Sequence, residues 1–254
     1  MKLLKAMAIA FSIYSKIPVP QFEWKEEDME YMMCFFPWIG GVIGMFFFGW
    51  AVLCEKFAVG NVCYALIGAA IPLMISGGFH VDGYMDTMDA FHSYQSREKK
   101  LEILKDSHIG AFAAIMLALY YMIDIAAISE IHTQKAVSAL AAVFFLARCF
   151  SGIAVMTLQP AKKEGLLYTF ASSAQKVRVK AALYFQAALC VAIMLLVSGW
   201  YGAAAIGAAL LSFFYFKKKS YKELGGITGD TAGFFVTVCE VAAAATVAVA
   251  GYFL

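Results

Sequence analysis

Charge is what this chain lacks. Only 15% of its 254 residues are Asp, Glu, Lys or Arg, against about 25% in soluble domains. So few charged side chains cannot cover a water-soluble globule of this size, and a 62% hydrophobic content excludes a disordered chain as well. Net charge is +2, which gives no case for nucleic-acid binding. Prolines number only five, and no internal repeat, low-complexity stretch or second-domain marker interrupts the apolar runs. The cysteines (Cys34, Cys54, Cys63, Cys149, Cys190, Cys239) never pair as CxxC or sit beside other ligands at metal spacing. That argues against a disulfide framework or zinc site and for small buried hydrophobes. What remains is an integral membrane protein.

A helix needs about 20 mostly apolar residues to cross a bilayer. Seven runs qualify: 32–54, 58–76, 109–131, 135–158, 181–199, 200–216 and 232–254. The boundary between the fifth and sixth, at Gly199-Trp200-Tyr201-Gly202, is the least defined. The fold expected is therefore an all-α, polytopic helical bundle forming one domain over 1–254. Segments 1–31, 77–108, 159–180 and 217–231 hold 17 of the 20 Lys and Arg, while the opposite connections hold only Lys56 and Lys135. Basic residues collect in cytoplasmic loops, so the N-terminus is expected in the cytoplasm and the C-terminus outside. The stretch Met1–Ser15 has Lys2 and Lys5 before an apolar run, but no small-x-small cleavage site follows. It reads as a retained helix lying along the membrane interface.

The polar residues gather in three islands. The first runs from Gly77 to Phe91 and holds Asp82, Asp86 and Asp89 at i, i+4, i+7. At about 100° per residue these fall near 0°, 40° and −20°, one narrow stripe of a helix, with Val81, Met85, Met88 and Phe91 opposite. Like charges on one stripe repel and call for a cation. All the donors are oxygens, so a hard divalent ion such as Mg²⁺ shared with substrate phosphate is expected. The plainer reading is a solvated acidic face.

The second island is Lys105-Asp106-Ser107-His108-Ile109-Gly110. Asp106 or Ser107 would serve as a helix N-cap. The functional reading makes Lys105 a phosphate ligand and Asp106 a further cation ligand at a helix N-terminus. The third, Gly225-Gly226-Ile227-Thr228-Gly229-Asp230-Thr231-Ala232-Gly233, holds four glycines that allow close backbone approach. Asp230 would cap the following helix or bind metal. All three islands fall on the expected cytoplasmic side.

Within the spans, Arg148 and Glu240 are costly if unpaired. Both lie roughly 12–15 Å from the same side at 1.5 Å per residue. They could form an ion pair that fixes packing, or Arg148 could reach substrate phosphate. Asp124 and Glu130 are expected to be solvated near the outer end of their span. His80, His92, His108 and His132 do not cluster, so a transition-metal site is not expected, and His80 is a candidate proton carrier. Gly40, Gly41, Gly44 and Gly49 read as close helix packing.

At these residues the chain resembles the cobalamin synthase family, the adenosylcobinamide-GDP ribazoletransferases. The family's Gly-Gly-x-His-x-Asp-Gly-x-x-Asp-Thr-x-Asp stretch is matched from Gly77 to Asp89, and its Lys-Asp-Ser-x-x-Gly element from Lys105 to Gly110. Its Gly-Gly-x-Thr-Gly-Asp element is matched from Gly225 to Asp230, and its proline-bearing N-terminal element by Lys16-Ile17-Pro18-Val19-Pro20. Two positions depart: Ala90 stands where the family usually has glycine, and His108 where arginine is frequent. Either bears on a phosphate contact.

The resemblance implies an integral membrane enzyme of the inner (cytoplasmic) cell membrane that requires Mg²⁺. It would join adenosylcobinamide-GDP to α-ribazole, or its 5′-phosphate, with release of GMP, the last assembly step of adenosylcobalamin. The expected catalytic residues are Asp82, Asp86, Asp89 and Asp230, with Asp82, Asp86 and Asp89 holding the metal. Gly77, Gly78, His80, Lys105, Asp106, Arg148, Thr228 and Gly229 would contact substrate. Oligomeric state stays open, a homo-oligomer included.

Three other readings compete. A membrane prenyltransferase would carry two separate Asp-x-x-x-Asp motifs, and only one is here. A CDP-alcohol phosphotransferase would carry Asp-Gly-x-x-Ala-Arg, whereas Tyr84-Met85-Asp86-Thr87 follows Asp82-Gly83. A transporter would line several spans with polar groups near the midplane.

Overall fold

Long apolar stretches with few breakers leave the backbone one way to satisfy its hydrogen bonds in lipid, which is the helix. The computed structural model describes residues 2–20, 23–162, 169, 172 and 174–253. Its principal helices are α1 (Lys2–Tyr14), α2 (Phe36–Lys56), α3 (Asn61–Ser76), α4 (Phe79–His92), α5 (Arg97–Ile103), α6 (Ala111–Ile128), α7 (Gln134–Thr157), α8 (Lys176–Ser198), α9 (Trp200–Leu224) and α10 (Gly229–Ala250). Among the described residues there is no strand, only one backbone bridge between Pro160 and Ile227.

Five helices (α2, α6, α7, α8 and the last, α10) are long and apolar enough to cross a bilayer by themselves. The chain is a polytopic helical membrane bundle. The seven expected runs all appear as helices, with two differences. The 58–76 run is only the 16-residue α3, which ends at left-handed Gly77. It forms with α4 a pair bent by 96°, so a sixth span exists only if the two are counted together. A helix turned that far runs across its predecessor's direction, which sets α4 apart from the five spans. The 200–216 run is the first part of α9, which continues to Leu224 through Lys217, Lys218, Lys219 and Lys222.

α7 is the hub. It packs on α2, α8, α9 and α10, and its residues from Val143 to Met156 are almost all buried. α6 and α8 instead turn large apolar side chains outward, among them Ile115, Met122, Phe185 and Leu196. A soluble protein does not expose such continuous apolar faces; lipid accepts them. Gly40 and Gly44 bring α2 against α7, where an added Cβ would lie 2.0 Å from the Phe144 carbonyl oxygen and 2.2 Å from that of Ala141. A Cβ added to Gly41 would make only ordinary contact with the Phe145 ring, at 3.4 Å, and one added to Gly49 would meet nothing within 4 Å. The expected close glycine packing therefore holds for two of the four, Gly40 and Gly44. Cys54, Cys149, Cys190 and Cys239 are buried and free, whereas Cys63 is exposed.

Arg148 and Glu240 meet in the bundle interior. An Arg148 guanidinium nitrogen donates to Glu240 Oε1 at 2.6 Å and to the Phe144 carbonyl at 2.8 Å. Asp124 is a correction. It is 6% exposed rather than solvated, because the rotational phase of α6 turns it inward. Glu130 is exposed and accepts from the Tyr252 hydroxyl at 2.8 Å.

Candidate active site

α4 positions the acid stripe, packed between α10 and α6. Gly83 permits the first contact: a Cβ there would lie 2.8 Å from the Asp230 carbonyl oxygen. Thr237 donates its hydroxyl to the His80 carbonyl at 3.2 Å, and Tyr84 donates to the Met116 carbonyl of α6 at 3.1 Å. The side opposite the acids is not uniformly buried as the periodicity predicts. Met88 and Phe91 are buried, but Val81 and Met85 are half-buried, and His80, Gly83, Tyr84 and Thr87 form a further buried set. Two neighbours, not one, explain this.

The three aspartates have different surroundings. Asp82 is exposed and lines the site cavity. Asp86 is half-buried, and burial followed by the charges of Asp82, Asp230 and Asp89 pushes its carboxyl up to about 7. Asp89 accepts from the backbone N–H of Gly110 at 2.7 Å and of Ala113 at 2.8 Å. It thus caps α6 from a distance. The expected cap by Asp106 or Ser107 is not formed, since α6 begins only after Gly110. Asp106 instead holds the His108 ring at 2.6 Å on the exposed surface, which lowers the Asp106 carboxyl and raises the His108 imidazole from their ordinary ranges.

Thr228 caps α10, accepting from the Thr231 N–H at 3.1 Å while its own N–H donates to the Thr231 hydroxyl at 2.8 Å. Asp230 is thereby relieved of capping and accepts from the Thr228 hydroxyl at 3.3 Å. The loop before α10 is pinned to the chain leaving α7, with Ala161 N–H donating to the Ile227 carbonyl at 2.8 Å and Ile227 N–H to the Gln159 carbonyl at 3.0 Å.

These elements enclose a cavity of about 520 Å³ into which all three polar islands feed: His80, Asp82 and Gly83; Lys105; Thr228, Gly229 and Asp230. Its aromatic side is Tyr14, Phe36 and Phe79. His80 is 4% exposed, with ring centroids 5.7 Å from those of both Phe36 and Phe79, and among the described residues neither of its ring nitrogens has a hydrogen-bond partner. Lys162, which donates to the Leu101 carbonyl at 2.7 Å, also lines the wall. Sequence reasoning passed over it. The available signal was a basic side chain two residues after Pro160, in a segment already counted as basic.

Of the other expected site residues, Gly77 and Gly78 line an adjoining second cavity, again with Asp82. Asp86, Asp89, Asp106 and Arg148 line neither. Among the described residues no three carboxylate, imidazole or thiol groups converge to hold a metal ion unaided. Asp82 and Asp230 share the cavity wall, and their charges, with that of Asp89, act on Asp86. That donor chemistry fits an ion such as Mg²⁺, which takes one or two carboxylates and completes its shell with water and substrate phosphate.

A family profile described as Cobalamin-5-phosphate synthase matches residues 6–248. The chain is 44% identical over 250 residues to an adenosylcobinamide-GDP ribazoletransferase of Lachnoclostridium phytofermentans, covering 98% of this chain and 95% of that protein. It is 30% identical over 243 residues to the enzyme of the same name from Clostridium botulinum strain Alaska E43, covering 94% and 95%. A third from Azorhizobium caulinodans is 29% identical over 252 residues, covering 95% and 94%. No solved structure matches the chain. With the match running through all three polar islands, this chain belongs to the cobalamin-5-phosphate synthase family.

Proposed function

We propose that this chain is a membrane-embedded transferase that joins adenosylcobinamide-GDP to α-ribazole or its 5′-phosphate and releases GMP. The observation that carries the reading is the convergence of three sequence-distant polar islands on one cavity holding carboxylates and lysines together. Transfer at a diphosphate needs cationic side chains for the phosphates and neutralisation of charge on the leaving group. The relatives' shared name supplies the substrates.

In the proposed mechanism the donor's diphosphate lies in the first cavity. Lys105 and Lys162 contact its phosphate oxygens, helped by the amide-bearing N-terminus of α10 at Thr228 and Gly229. His80, whose ring nitrogens are unused within the fold, is a further substrate contact. Asp82 and Asp86 would hold Mg²⁺, Asp89 being engaged by the α6 amides, and the ion would supply neutralisation of the charge developing on the leaving phosphate. Asp89 fixes the N-terminus of α6 and with it the Lys105 loop. The ribose 3′-hydroxyl attacks the phosphorus bearing the cobinamide. Its new O–P bond forms as the bond to the bridging oxygen breaks, and GMP leaves with that oxygen. Asp230 accepts the hydroxyl proton.

The basic segments 1–31, 77–108, 159–180 and 217–231 support a cytoplasmic site in the inner membrane. The test is GMP release by detergent-purified protein given adenosylcobinamide-GDP, α-ribazole and Mg²⁺. Release should require ribazole, stop with EDTA, and fall on the order of a hundredfold or more in Asp86→Asn without loss of folded protein. No release from well-folded wild-type protein would overturn the assignment.

A further inference from the structure

The proline-bearing element after α1 has no place in the site described so far, yet it borders a cavity of its own. This second cavity, of about 530 Å³, shares two wall residues with the first, Phe79 and Asp82. Its lining includes Lys16, Ser76, Gly77 and Gly78 around the turn between α3 and α4, and Met85, Leu117 and Tyr121 from α4 and α6. Asp82 therefore stands on the border between two chambers.

Lys16 is held where it is by the turn between α3 and α4. Its backbone N–H donates to the Ile75 carbonyl at 2.8 Å. Its methylene stem lies over Gly77, so closely that a Cβ there would fall 2.4 Å from Lys16 Cε and 2.7 Å from Cγ. Gly77 also has φ +67°, which other L-residues adopt at a cost. The glycine thus serves both the turn and the seat of the lysine stem. The side chain is exposed, and among the described residues no carboxylate lies within 4.0 Å of its ammonium.

A transfer that joins two substrates at one phosphorus needs two binding chambers that meet at the reacting atoms. We propose that the second cavity seats the acceptor nucleoside, its aromatic base against Met85, Leu117 and Tyr121, and that Lys16 binds the 5′-phosphate of an acceptor that carries one. This deepens the transferase reading and rests on it. The volume falls within the roughly 300–1,000 Å³ of small-molecule sites, and with the donor's diphosphate in the first cavity the second is left for the acceptor nucleoside. An ammonium on a flexible stem suits a phosphate as a point charge and offers nothing specific to an uncharged 5′-hydroxyl. Lys16 is therefore a specificity-determining residue: it sets the preference between the phosphorylated and unphosphorylated acceptors.

The experiment compares full-length wild-type, Lys16→Gln and Lys16→Arg proteins in detergent. KM is measured for α-ribazole and for α-ribazole 5′-phosphate at saturating donor, alongside equilibrium binding of each acceptor without donor. Lys16→Gln should lower the preference for the phosphorylated acceptor on the order of tenfold, the scale of one charge-assisted contact, and Lys16→Arg should restore most of it. Met85→Trp, which enlarges a side chain of the second cavity's lining, should raise KM for both acceptors and not for adenosylcobinamide-GDP. An unchanged preference in Lys16→Gln overturns the proposal, as does a Met85→Trp effect confined to the donor. If Lys16→Gln alters only the response of activity to added anionic lipid, Lys16 binds a headgroup and the proposal fails. Should wild-type protein release no GMP, the transferase reading fails by itself; the binding arm still decides, since loss of phosphorylated-acceptor binding in Lys16→Gln supports the phosphate site and its absence in wild type refutes it.

Discussion

Gly83 lies against Asp230 with no room for a side chain: a Cβ would sit 2.8 Å from the Asp230 carbonyl oxygen and 3.0 Å from its Cα. Through this contact α4, which carries Asp82 and Asp86, is seated on the first turn of α10. Gly83→Ala must push the two helices apart. The expected result is a loss of about 1–3 kcal/mol of stability and a fall in GMP release of roughly tenfold or more, because small misplacements of reacting groups are costly. Thermal melting in detergent and initial rates check the two effects separately.

Asp89 joins two islands by capping α6 across 21 residues of sequence. Asp89→Ala removes both acceptors of the Gly110 and Ala113 amides and should cost about 1–2 kcal/mol. Asp89→Asn keeps one acceptor oxygen and should cost less. A melting temperature that is unchanged in Asp89→Ala would show that the cap does not stabilise the fold.

The Arg148–Glu240 pair, 1% and 6% exposed, predicts a characteristic pattern of unfolding energies. Removing one partner leaves a buried charge alone, at about 3–5 kcal/mol. Arg148→Met and Glu240→Leu should each be strongly destabilising, and the double variant less so than the two effects added. Denaturant unfolding in micelles, read as a double-mutant cycle, measures the coupling. Additive effects would mean that the pair contributes nothing beyond its separate side chains.

Gly44 and Gly49 lie on the same helix and make opposite predictions. Gly44→Leu drives a side chain into the Ala141 carbonyl 2.2 Å away and should sharply reduce the yield of monodisperse protein. At Gly49 an added Cβ faces open space, so Gly49→Leu should leave it intact. Gel filtration of the two variants, prepared identically, makes the comparison.

The helices and the acid stripe were legible because both rest on local rules. A run of apolar residues must hydrogen-bond to itself in lipid, and a 3.6-residue period places Asp82, Asp86 and Asp89 on one side of whatever helix contains them. The depth of Arg148 and Glu240 followed equally from rise per residue, which is why their pairing could be anticipated.

What local rules could not reach were choices made between distant segments. That Asp89 caps α6 while Asp106 turns to His108 depends on where α6 starts and which helix passes its end. That Asp124 is buried depends on the rotational phase of α6 within the bundle, and no single-helix pattern records which neighbours surround it. The right-angled turn at Gly77 and Gly78, which sends α4 across the direction of α3, is equally beyond any single-helix pattern. Lys16 and Lys162 look unexceptional in sequence, and become cavity residues only when α1 and the chain after α7 fold back onto that turn and the α10 entrance. Composition and periodicity determine that the chain enters a membrane as helices with one acidic stripe. The packing of those helices, through contacts as short as Gly83 against Asp230, decides which polar groups share a cavity, because electrostatic and steric interactions act through space and not along the chain.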